Sequence, residues 1–90
     1  MNLIWLPAAR RALETIIQYI ADRDADAAQR LKFLIEDSAE RLADHPFMYR
    51  PGRVPGTREA VVHPNYILIY HVIADAVEII GLVHARQEYP

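Results

Sequence analysis

Two clusters of side chains in this sequence have the chemistry to grip a charged partner or to act on one. The first is "HARQEYP", residues 84–90, which places an imidazole, a guanidinium, an amide, a carboxylate and a phenol within six positions. His84 and Tyr89 can carry protons, and Arg86 can hold a carboxylate or phosphate. The segment therefore suits a catalytic end, a docking end, or a polar stretch beyond a last strand. The second cluster is Arg50, Arg53 and Arg58, opposed between residues 45 and 63 by Glu59 alone, with His45 and His63 beside them. Nine of the ten cations are arginines and Lys32 is the only lysine. Arginine's planar fork matches carboxylates and phosphates, although a solvated loop accounts equally well for this triplet. The four histidines lack the spacing or carboxylate company of a metal site, and the absence of cysteine excludes thiolate sites and disulfides. No metal and no cofactor is expected.

The elements that position these groups are constrained by size. Ninety residues, 52% of them apolar, make one domain spanning 1–90, near the lower limit for a self-supporting core. A net charge of −2 argues against general nucleic-acid binding, which rests on neutralised phosphates. The opening, Met1 to Pro7, lacks the charged n-region and long apolar run of a signal peptide, and no 18-residue apolar stretch occurs. A reducing, cytoplasmic setting and no membrane are the expectation.

Asn2 to Trp5 reads as a short strand. Pro7 suits a first helical turn, and Ala9, Ala12, Leu13, Ile16, Ile17 and Ile20 recur at helical spacing, predicting a helix over 7–21. After the break Asp22-Arg23-Asp24, Asp24 caps a second helix with Asp26 in its first turn; Ala27, Ala28, Leu31, Leu34, Ile35, Ser38 and Leu42 form its inner face. Pro46 stops it. "PFMYRPGRVPG" is loop. Strands follow at Arg58–Val62, at 66–73 and at 77–83, the last two forming an antiparallel hairpin through Ala74-Asp75-Ala76. Both faces of this hairpin are largely apolar, whereas a half-exposed sheet alternates. Two helices with a short link most simply cover one face and leave the other for a lid from outside; one helix on each face is the alternative.

Trp5-Leu6-Pro7-Ala8-Ala9, Tyr19-Ile20, Leu42-Ala43-Asp44-His45-Pro46, the run Gly52 to Glu59, Tyr66-Ile67-Leu68-Ile69-Tyr70 and His84-Ala85-Arg86-Gln87, in this order, resemble the RelE/ParE superfamily of type II toxin–antitoxin toxins over nearly the whole chain. The resemblance implies an α+β fold, β-α-α-β-β-β, with an N-terminal helical hairpin packed on one face of a small antiparallel sheet. It also implies a cognate antitoxin, contact with operator DNA only through that antitoxin, and a role in plasmid stabilisation or stress.

The superfamily has two branches. RelE-like members resemble ribosome-dependent messenger endoribonucleases, which need cations for the phosphate transition state and an acid/base pair. ParE-like members poison DNA gyrase without cutting. Where many of the nucleases carry an arginine after the aromatic opening the penultimate strand, this sequence has Ile67. The preceding strand, Arg58-Glu59-Ala60-Val61-Val62, has one cation. Glu88 stands where a histidine sometimes precedes the tyrosine. Arg86 and Tyr89 do match nuclease positions. The balance, with the "GTRE" element, favours the ParE-like branch; the ribonuclease alternative, acting with ribosome and mRNA, would use Arg58, His84, Arg86 and Tyr89.

On the favoured branch no catalytic residue is assigned, and Arg50, Arg53, Arg58, His84, Arg86 and Tyr89 are expected to contact target or antitoxin. Alternation along a continued last strand sets His84 and Arg86 on one face, with Arg86 near Arg58. Arg58 has equally a structural role open to it, pairing with Glu59, Glu88 or a helix C-terminus. Trp5, Tyr19, Tyr66 and Tyr70 read as packing residues, His71 as a hydrogen-bonded strand histidine. Met48 and Tyr49 suit either a contact patch or the core.

Overall fold

The computed structural model describes all 90 residues, in the order β1 (Asn2–Trp5), α1 (Pro7–Ala21), α2 (Ala25–Asp44), β2 (Arg50–Pro51), β3 (Arg58–His63), β4 (Tyr66–Ile73) and β5 (Ala76–His84). Pro7 opens α1, where a missing N–H costs nothing. The Asp24 carboxylate accepts from Ala27 N at 3.0 Å and caps α2. No helix is long and apolar enough to cross a membrane.

The α+β plan expected from the sequence holds, with two additions. The sheet has five strands in the order β1-β5-β4-β3-β2, the two-residue β2 being its fifth. It is mixed rather than antiparallel, because β1 runs parallel to β5, bracketed by Asn2 N donating to Asp75 O and Leu6 N to Ile79 O. Period-two alternation tells which face a residue takes, not which way its strand runs. Leu3 and Trp5 reach the core equally well in either direction.

Both helices pack on one face. Ala9 and Leu13 of α1 and Leu31, Ile35, Ala39 and Leu42 of α2 form a single core with Ala60, Leu68, Tyr70, Val77, Ile79 and Leu82. Trp5 packs against this core and carries the Arg10 guanidinium 4.7 Å above its ring. Tyr66 packs there too, whereas Tyr19 does not: it is exposed, with Arg23 stacked at 3.8 Å. Tyr49 packs inward while its neighbour Met48 is exposed.

The simple alternation expected along the last strand is broken. Ile69 pairs with Gly81 but Tyr70 pairs with Ile79, so Ile80 is a bulge. Two residues on β5 oppose one on β4, and the parity of everything beyond shifts. Val77, Ile79, Leu82 and His84 therefore share the helix-covered face, and Gly81 and Val83 turn outward. Unbroken alternation from Val77 would have set Gly81 and Val83 on the face of Val77 and Ile79 instead. The outer face is also less open than its apolar pattern suggests. Ile67 and Ile69 are only 3% and 6% exposed, buried by the chain itself, while Ile4, Val61 and Ile73 are exposed.

The β4–β5 link is two residues, Ala74 and Asp75, between the pair Ile73 and Ala76. Ala74 adopts φ 54. The left-handed region costs a residue with Cβ about 1–2 kcal/mol, of which the greater unfolded freedom of glycine returns part. Ala74→Gly should therefore raise stability by roughly 0.5–1 kcal/mol, visible as a melting temperature higher by several degrees. A lower melting temperature would show that this turn carries no strain.

Candidate functional site

The arginine cluster is organised by a carboxylate. Glu59 lies on the outward face of β3 and is 4% exposed. Its Oε1 accepts from Arg50 Nε at 3.2 Å and Nη2 at 3.0 Å; its Oε2 accepts from the Arg53 backbone N at 3.0 Å, with Arg53 Nε 3.8 Å away. Register places Arg50, Glu59, Ile69 and Gly81 in one cross-strand row. Arg53 continues outward and stacks 4.4 Å above the Tyr89 ring. The loop, the strand and the C-terminal segment 85–90 are thereby joined on the outer face.

Arg58 belongs to the other face. It pairs in register with Tyr70, and its Nη1 donates to Tyr49 O at 2.8 Å and Phe47 O at 3.4 Å, with Phe47 stacked at 5.2 Å. Tyr70 adds a third bond to the same segment, its hydroxyl donating to Pro46 O at 2.6 Å. Together they staple the chain that leaves α2. Burial pushes the Tyr70 phenol up to about 12; the Arg58 cation pulls it down and Tyr49 pushes it up. The partners expected for Arg58, namely Glu59, Glu88 or a helix C-terminus, are replaced by backbone carbonyls just beyond α2.

His84 sits at the far end of the sheet. It pairs with Tyr66, and the His63, Tyr66 and His84 rings form a row with centroids 5.6 Å apart at each step. Each imidazole is held locally: His63 Nδ1 accepts from Asn65 N at 3.0 Å, and His84 Nδ1 from Arg86 N at 3.2 Å. The strand ends at His84 and the chain turns, so Arg86 does not continue the alternation. Arg86 is exposed and its guanidinium has no partner within the chain. It is not beside Arg58 either. Four residues of β4 separate the registers of Arg58 and His84, about 13 Å along the strand.

Tyr89 lies on the outer face, opposite Arg58, against a slot lined by Val54, Thr57, Ile69, Ile80 and Gly81. Its hydroxyl is buried without a partner. The four groups that a ribonuclease reading needs are thus distributed: Arg58 on the helix-covered face, His84 and Arg86 at one end of the sheet, Tyr89 on the outer face. Arg50, Arg53 and Tyr89, by contrast, are brought together. Glu59 was the residue missed as an organiser. Its signal was available, since it is the only carboxylate between residues 45 and 63.

His71, as expected, is hydrogen-bonded, with Nε2 2.7 Å from Glu78 Oε1 across the β4–β5 pair. No three His, Asp or Glu side chains converge in a metal-binding group.

A family model described as "ParE toxin of type II toxin-antitoxin system, parDE" matches residues 3–89. The chain is 40% identical over 87 residues to "Putative toxin Y4kP" of Sinorhizobium fredii, covering 96% of this chain and 90% of that protein. It is 33% identical over 88 residues to "Toxin RelE2" of Caulobacter vibrioides, covering 96% and 97%. Among solved structures, a chain of the "Chromosomal ParDE TA system from P. aeruginosa" superposes with TM-score 0.82 at 19% identity, covering 93% of this chain and 95% of that one. The solution structure of HP0894 from Helicobacter pylori superposes with TM-score 0.63 at 18% identity, covering 97% of each. At those identities the structural likeness speaks for the fold alone.

Proposed function

The chain belongs to the ParE toxin family of type II toxin–antitoxin systems, and from that premise we propose that it arrests growth in the cytoplasm by binding DNA gyrase rather than by cutting RNA. Membership implies a cognate antitoxin as its neutralising partner. In this reading operator DNA is met only through that antitoxin, and the module serves plasmid stabilisation or stress arrest.

The observation that carries the reading is the dispersal of Arg58, His84, Arg86 and Tyr89 over two faces and one end of the sheet. Phosphoryl transfer needs an acid, a base and a cation converging on one reacting phosphate. Here Arg58 is occupied with carbonyls and Arg50 with Glu59. What the surface offers instead is recognition: the half-exposed guanidiniums of Arg50 and Arg53 and the free one of Arg86. Arginines on a surface with few opposing acids suit an acidic protein partner.

Expressed without antitoxin, the protein should stop growth with filamentation, DNA breaks and an SOS response, and purified toxin should inhibit supercoiling by gyrase. Cleavage of messages at ribosomal A-site codons with supercoiling untouched would overturn the reading in favour of the ribonuclease. Intact messages with fully active gyrase would sink both.

A further inference from the structure

Two of the three glycines have plain structural reasons. A Cβ at Gly52 would collide with Thr57 Oγ1, and Gly56 sits at φ 86. Gly81 has neither reason. Its backbone lies outside the left-handed region, and a Cβ there would meet only the Ile69 side chain, at 3.6 Å, an ordinary contact. Glycine within a strand weakens it and often marks a place another group approaches closely. What the missing side chain does here is leave a slot of about 200 Å³ open on the outer face, floored by Ile69, Ile80 and Gly81 and walled by Val54, Thr57 and Tyr89.

The chemistry around the slot defines an occupant. The floor is aliphatic. Tyr89, the wall, has a buried hydroxyl with nothing to bond. Above its ring lies the half-exposed Arg53 guanidinium, with Nε 3.8 Å from Glu59 Oε2, while Arg50 takes the other Glu59 oxygen. We propose that this slot receives an apolar side chain of the toxin's protein target, carried beside a carboxylate that pairs with Arg53, and that Gly81 is the residue that keeps the slot open. This deepens the reading of the chain as a toxin that docks on a protein, and it rests on that reading.

Gly81→Val is the test. Valine suits a strand, and its methyl groups would occupy the slot. The variant should fold, melt no lower than wild type and bind antitoxin undiminished. Growth arrest and inhibition of purified gyrase should both fall about tenfold or more, the equivalent of a lost contact worth about 1.4 kcal/mol. Full growth arrest by folded Gly81→Val overturns the proposal. So does a parallel loss of antitoxin binding, which would assign the slot to the antitoxin. If wild-type toxin leaves gyrase unaffected, the gyrase reading fails alone, and growth arrest by the variant still decides the slot. Should valine prevent folding, methyl resonances of Ile69 and Ile80 in wild-type toxin decide it: they should shift when the inhibited target is added, and unshifted resonances overturn the proposal.

Discussion

Arg50→Ala should destabilise the protein by about 2–3 kcal/mol, although Arg50 itself is half exposed. The cost arises at Glu59, whose side chain is 3% exposed and whose Oε1 has only Arg50 as a partner. Removing Arg50 leaves that oxygen desolvated, with Arg53 Nε at 3.8 Å and the Arg53 N–H serving the other oxygen. Stranding a buried charge in full typically costs about 3–5 kcal/mol; solvent at the arginine side and the remaining backbone bond discount it. Glu59→Gln removes the charge, leaves two guanidiniums that water can reach, and should cost less, about 1–2 kcal/mol. Once glutamine is in place, Arg50→Ala should cost little more. Urea unfolding of the two single variants and the double variant measures this non-additivity. Equal and additive losses would mean that Arg50 does not hold Glu59.

The same cluster shows what the sequence could and could not reveal. Helical spacing from Ala9 to Ile20, Pro7 at the first turn and Asp24 as a cap are local signals, and the helices begin and end where those signals put them. The strands at 58–63, 66–73 and 76–84 likewise follow local β character. Direction, bulges and side-chain partners are not local. The parallel entry of β1 depends on where a helical hairpin returns the chain, and the bulge at Ile80 reversed the facing of Gly81 and Val83. A single extra residue changes every later face, so a site built on alternation inherits the error. Arg86 and Arg58 are separated for a different reason: β5 ends at His84, four residues of β4 away from the register of Arg58. The arginine cluster and its one carboxylate were visible, but not which arginines that carboxylate holds: Glu59 points outward to Arg50 and Arg53, whereas Arg58, one residue earlier, points inward.

Arg58 is therefore expected to behave as a staple. Its guanidinium donates to Tyr49 O and Phe47 O, and hydrogen bonds from a charged group contribute about 1.5–3 kcal/mol when their loss leaves acceptors unmet. Arg58 is partly exposed and water can replace some of this, so Arg58→Ala should cost about 1.5 kcal/mol. Tyr70→Phe, which removes the bond to Pro46 O from the same segment, should cost about 1 kcal/mol. Tyr70 also reports on Arg58. Its phenol is pushed up to about 12, above the ordinary 10.0, so the neutral form is favoured in the fold. Stability from this source is fully present below pH 10 and is lost as pH rises through about 12, up to roughly 2–3 kcal/mol. Tyr70→Phe should flatten that alkaline loss. Arg58→Ala removes the cation that pulls the phenol down, so Tyr70 should titrate higher still, which absorbance of tyrosinate follows directly. For toxicity the consequence is sharp: growth arrest by Arg58→Ala should weaken only as far as folding weakens, and antitoxin, by binding the native state, should restore the melting temperature. An Arg58→Ala toxin that melts like wild type, leaves the Tyr70 titration unmoved and yet arrests nothing would return Arg58 to the role of a phosphate ligand.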